Sequence, residues 1–215
     1  MARIYVFWDN SNIFVGAKHV AVARDGLFSE KALRIKVEAL HHLAVWGRNA
    51  VKTVVVGSQS RDVKLLDVIK RIDAHFEIYE RGASSNKEQA VDAALQVHML
   101  RALVDESEPC VAVLLTGDGA GYESGMGFRA DLERMANKGW GVEVLSWTNS
   151  CDEGLRRWAE RVGVFIPLEK HYDCITFIEG GRRPTSFPIT GRPVAMPKPD
   201  ASTTASPPPT PQTGS

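Results

Sequence analysis

The sequence predicts a three-layer α/β/α sandwich with a mostly parallel central sheet. Three observations predict it. Short apolar stretches alternate with longer stretches of helical periodicity from residue 3 to residue 167, the pattern of strand–helix–strand units. The run CVAVLL at 110–115 is apolar without interruption, as expected of a parallel strand covered on both faces. The chain has 215 residues, 44% hydrophobic and 24% charged, which suffices for one domain with a sizeable core.

The elements follow in order. Residues 3–8 form a first strand ending in FWDNSN at 7–12, where Asn10, Ser11 and Asn12 read as a polar turn. Ser29 can cap a helix over 30–46, with Leu33, Val37, Leu40 and Ala44 on one face. Residues 52–56 are a strand ended by Gly57, and 62–72 carry Leu65, Leu66 and Ile69 at helical spacing. Residues 75–79 alternate as a short strand. Asn86 can cap a long helix to about residue 104. After the strand 110–115 come a helix at 128–138 stopped by Gly139, a strand at 142–145, and a helix at 152–161. A last short strand at 164–167 and an added one at 174–178 complete the domain, set at 1–180.

Residues 181–215 read as a disordered tail, rich in Pro, Ser and Thr, because such text buries too little surface to offset chain entropy. Pro193-Val194-Ala195-Met196 within it is the one candidate docking motif for a protein partner. Three widely spaced cysteines, Cys110, Cys151 and Cys174, read as buried thiols in a reducing cytoplasm. No apolar run approaches the ~18 residues of a membrane span, and the N-terminus lacks the features of a signal peptide. The formal net charge is zero, and four cations but only one anion follow residue 180. The folded part is therefore slightly acidic, and phosphate binding there has to be local or metal-mediated. The six histidines show no His-Glu-x-x-His spacing, and no G-x-S-x-G elbow is present.

Chemistry is expected at the carboxyl ends of the strands. Two strands end in acids there, the first in Asp9 and the fourth, through Thr116-Gly117, in Asp118. If those strands are neighbours, the two carboxylates approach, which a fold tolerates when a cation lies between them or one is protonated. Oxygen donors of this kind suit Mg²⁺ or Mn²⁺. On the helix opening NKEQAVDAAL, Glu88 and Asp92 are four residues apart and share a face. Glu88 reads equally well as a surface acid favoured by the helix dipole, whereas Asp92 lies deeper, beside Val91 and Leu95. Asn12 is expected both to hold its loop and to face the acids. Trp8 reads as core.

The order DNSNIF after strand one, a helix carrying KxxxxVD, TGDG after a hydrophobic strand, and GWGVEVLSW resembles the NYN domain family, whose LabA-like members belong to the PIN-like nucleases. The resemblance spans about residues 3–178. It implies a PIN-like sheet and Mg²⁺- or Mn²⁺-dependent hydrolysis of RNA, with Asp9, Asp92 and Asp118 as catalytic and metal-binding acids. Asn10, Asn12, Ser58, Lys87, Glu88, Thr116, Gly117 and Glu123 are the supporting or substrate-contacting set. Lys18, Arg61, Lys64 and Arg81 are further cations for RNA. Two positions depart from the family pattern: Ala120 stands where a second acid follows the TGD, and His98 where the central helix often carries an acid.

Three readings follow. The first is a cytoplasmic ribonuclease. The second is a weakly active or inactive NYN-like module that binds RNA or a protein partner, and a homo-oligomer is compatible with either. The third, an aspartyl-phosphate enzyme with Asp9 as nucleophile, lacks the second Asp two residues on, where Ser11 stands.

Overall fold

The computed structural model describes residues 2–58, 63–79, 86–188 and 191–198, with the side chains at 58, 63–66, 78–79 and 86–90 outside the description. Six parallel strands form the central sheet. β1 (Arg3–Asp9) lies between β3 (Asn49–Ser58) and β5 (Val111–Leu115), with β4 (His75–Tyr79) outside β3 and β6 (Gly141–Ser146) and β7 (Val164–Pro167) outside β5. The order β4-β3-β1-β5-β6-β7 means that the chain builds one wing from β1, crosses back, and builds the other. β1 and β5 are paired, with Trp8 opposite Leu115. The two acid-bearing strand ends are thus neighbours at the switch point of the sheet.

Alternation along β1 sorts the two cores. Ile4, Val6 and Trp8 join one cluster with α1 (Asn10–Asp25), α3 (Val37–Val45) and α4 (Val63–Arg71). Tyr5 and Phe7 join the other, with α5 (Asn86–Asp105), α6 (Gly127–Asn137) and α7 (Glu153–Val162). Residues of β5 are completely buried, and each such aliphatic side chain contributes roughly 1.5–3 kcal/mol. Trp8 is core, with no exposed surface.

Three expectations need correction. Asn10, Ser11 and Asn12 are the first turn of α1, not a loop, with Asp9 as N-cap accepting from the Asn12 amide. β-branched Val15, Val20 and Val22 and the helix-interior Gly16 hide this helix in the sequence. Gly16 is needed because a Cβ there would run into the Trp147 ring, whose indole Nε1 donates to the Ile13 carbonyl at 2.8 Å. The helix expected over 30–46 is broken. α2 (Ser29–Ala32) gives way to β2 (Leu33–Ile35), which pairs antiparallel with β8 (Thr176–Ile178), and α3 follows. Local periodicity does not report a partner strand so far along the chain. The segment 174–178 correspondingly divides into the end of a short helix α8 (Tyr172–Ile175) and β8.

The third correction concerns the tail. Residues 191–198 pack against the domain: Arg192 and Ala195 are buried, and the Lys198 amide donates to the Gly139 carbonyl at 2.7 Å. Arg192 and Arg48 both pair with the fully buried Glu143 of β6. Arg192 also donates to the Leu43 and Ala44 carbonyls at 2.7 and 2.8 Å, which end α3. Composition misses this because one buried arginine, not apolar area, anchors the segment. Ala195 of the Pro-Val-Ala-Met stretch docks onto its own domain, its amide donating to Glu143 at 2.7 Å. Residues 199–215, also expected to be disordered, lie outside the described residues.

Candidate active site at the carboxyl ends of β1 and β5

Asp9 ends β1 and continues the Tyr5–Phe7 alternation, so its side chain leaves the strand on the Tyr5–Phe7 side. It is only 5% exposed. Its Oδ1 accepts from the Asn12 amide at 3.0 Å, and its Oδ2 lies 3.5 Å from the Thr116 hydroxyl. Burial, reinforced by the charge of Asp118 and opposed by the Asn12 and Ser11 amides, pushes the Asp9 carboxyl up to about 6. Among the described residues no cationic side chain pairs with Asp9 or Asp118.

The loop after β5 is tied to α1. The Gly117 amide donates to Asn12 Oδ1 at 2.7 Å, and Thr116 Oγ1 accepts from the Asp118 amide at 3.3 Å. Asn12 is thus held at both ends, its amide capped by Asp9 and its side chain accepting from Gly117. Asp118 Oδ1 accepts from the Ala120 amide at 2.9 Å, so the residue in the second-acid position supplies a backbone donor. A Cβ at Gly117 would approach the Ser150 carbonyl to 2.7 Å; glycine is required for this close passage.

Asp152 is a functional candidate that sequence reasoning missed. It caps α7, accepting from the Leu155 amide at 2.7 Å, and a side chain at Gly119 would collide with its carboxylate. The Asp152 amide donates to the Gly117 carbonyl at 2.8 Å. The connection from β6 to α7 therefore delivers an exposed acid to the same loop. The sequence carries a signal for it, an Asp shortly after a strand in SWTNSCD, which a helix start explains equally well.

Asp92 lies half-buried in the first half of α5, beside the buried Val91 and Leu95. It shares a helical stripe with Gln96, whose Oε1 accepts from the Gly127 amide at 3.3 Å. That stripe faces the segment following the Asp118 loop. Asn10 lies against Gly57 near the end of β3, on the other side of β1. Glu123 is exposed on a short 3₁₀ turn, Tyr122–Ser124, and no described contact joins it to Asp9 or Asp118. Lys18 is engaged with Glu30 at 3.5 Å. Arg61 and Arg81, and the side chains of Ser58, Lys64, Lys87 and Glu88, lie outside the described residues.

His98 does not serve the strand-end site. Asp92 and His98 are separated by about 240° of helical rotation, and His98 turns to β4, where its Nε2 meets Glu77 Oε1 at 2.6 Å.

A doubly wound parallel sheet with one acid buried at its switch point and a second, half-buried acid beside it has the architecture of the PIN-like nuclease superfamily. The family model for the NYN domain matches residues 3–164, and the chain belongs to that family. Among solved structures it is similar to a protein of unknown function, VPA0982, from Vibrio parahaemolyticus RIMD 2210633, with a TM-score of 0.50 at 13% identity, over 78% of this chain and 93% of that one. That likeness concerns the fold alone. No curated protein matched the chain.

Proposed function

We propose that this protein is a ribonuclease that hydrolyses RNA phosphodiester bonds with Mg²⁺ or Mn²⁺ held by Asp9 and Asp118, with Asp92 completing the acidic set. Asp152 joins it as a residue at the same rim. The observation that carries the reading is the buried Asp9 carboxylate beside Asp118, with no cationic side chain paired to either among the described residues. The donor set is all oxygen, which suits these hard cations. A cation bound there would act as a Lewis acid towards the phosphate and lower the pKa of a water.

The chain's own residues do the positioning. Asp9 Oδ1 is taken by the Asn12 amide, which turns Oδ2 towards Thr116 and the neighbouring strand end. Asn12 and Thr116 together fix the loop 116–118, so Asp118 is presented by a braced backbone. Arg129 lies 3.6 Å from the Tyr122 ring centroid and flanks Gly154 beside Asp152. Both are tied to Glu133, to which the Tyr122 hydroxyl donates at 2.9 Å and Arg129 Nε at 3.3 Å, so this pair braces the rim. Among the described residues no helix is long and apolar enough to cross a membrane, and three free thiols suit a cytoplasmic setting.

The test is cleavage of a labelled single-stranded RNA with Mn²⁺, Mg²⁺ or EDTA. We expect metal-dependent cleavage that Asp118→Asn reduces at least a hundredfold while the circular dichroism spectrum is unchanged. Equal activity in the variant overturns the proposal. A second reading, a non-catalytic RNA- or protein-binding module, is favoured by one observation, the alanine at position 120. It requires that any rise in Tm with Mn²⁺ be the same in the unaltered protein and in Asp118→Asn, since a cation held at the strand-end acids of the native state raises it only in the former.

A further inference from the structure

His75, Glu77 and His98 form a second group of metal-ligating side chains, separate from the strand-end acids. His75 and Glu77 stand two apart on β4 and so project from one face of the strand, while Phe76 packs into the opposite core. His98 comes from the middle of α5 across that face. The Nε2 atoms of His75 and His98 lie 2.9 and 2.6 Å from the same oxygen, Glu77 Oε1, and all three ligand atoms fall within 4.8 Å of one another. The two rings meet edge to face, with centroids 5.3 Å apart.

We propose that these three residues bind a divalent transition metal, Zn²⁺ foremost, which clips α5 to the edge strand β4. Two imidazoles and one carboxylate are a donor set for Zn²⁺ and its neighbours rather than for Mg²⁺. Ligands at Zn²⁺ distances in a tetrahedron sit about 3.4 Å apart, so each nitrogen has to recede from Glu77 by less than about 1 Å. The side chains are graded in exposure, 9% for His98, 29% for Glu77 and 49% for His75. The site is therefore anchored inside and open to solvent at His75, which leaves a fourth position for water. β4 is two strands from β1, roughly 10 Å at sheet spacing, so this ion is distinct from one held by Asp9 and Asp118. The clip would join the two elements flanking residues 80–85, on the helix that also carries Asp92.

Co²⁺ and Zn²⁺ titrated into purified Asp118→Asn protein test this, the substitution weakening the strand-end site. One equivalent of Co²⁺ should give visible d–d absorption that Zn²⁺ displaces, and Zn²⁺ should raise Tm. His75→Gln, at an exposed position that leaves the fold intact, and His98→Gln should each weaken Zn²⁺ binding at least tenfold. Absence of Zn²⁺ binding, or binding unchanged in His75→Gln, overturns the proposal whatever the outcome for RNA cleavage. If His98→Gln does not fold, His75→Gln decides alone.

Discussion

At the scale of single residues, Asp9 sets stability against the proposed function. Its carboxyl sits at about 6 in the native state against an ordinary 3.8, mainly because burial disfavours the charge. The native state then binds this proton more tightly than the unfolded chain. Stability falls as pH rises from about 4 to about 6, and the penalty is fully present above that window. The shift corresponds to roughly 3 kcal/mol. Asp9→Asn is expected to keep the cap on α1 and to stabilise the metal-free protein at pH 8 by up to about 3 kcal/mol. The gain should vanish near pH 4, and urea melts of both proteins at the two pH values check it. The placement of Asp9 and Asp118 at strand ends was legible in the sequence because one closes an apolar strand and the other follows one within three residues. Asp152 was not, since an Asp at a helix start has an adequate local explanation as a cap.

At the scale of elements, close backbone passages decide where side chains meet. The loop of Gly117 and Gly119 threads between α1 and the start of α7, and neither position has room for a methyl group. Gly119→Ala should displace the Asp152 carboxylate, costing about 1–3 kcal/mol and lowering RNA cleavage more than global unfolding explains. Comparing kcat with Tm separates the two effects. The strap at 191–198 is the other element whose role is packing. Arg192→Ala removes one of two guanidiniums from the buried Glu143 and should cost about 3 kcal/mol, measured as a lower urea midpoint with unchanged slope. Strands with long apolar runs, such as β5, were legible because burial on both faces leaves a continuous signature. α1 and β2 were not: the first is held by Trp147 and Gly16 despite poor propensity, the second by a partner more than 140 residues away.

At the scale of the molecule, the winding order makes the site. Both wings of the sheet start beside β1, so the ends of β1, β5 and β6 bring Asp9, Asp118 and Asp152 to one rim. The histidine-rich cluster occupies a different place, at the outer wing. Alternation of strands and helices made the α/β class legible. The strand order was not, because parallel crossovers leave no local trace of which neighbour is chosen. Two proposed metal sites in one domain give the most direct test. Mn²⁺-dependent RNA cleavage should be measured side by side in the unaltered protein, Asp118→Asn and His75→Gln. The account predicts cleavage by the unaltered protein and by His75→Gln, and at least a hundredfold loss in Asp118→Asn. Cleavage retained by Asp118→Asn and lost in His75→Gln would contradict it and move the chemistry to the edge of the sheet.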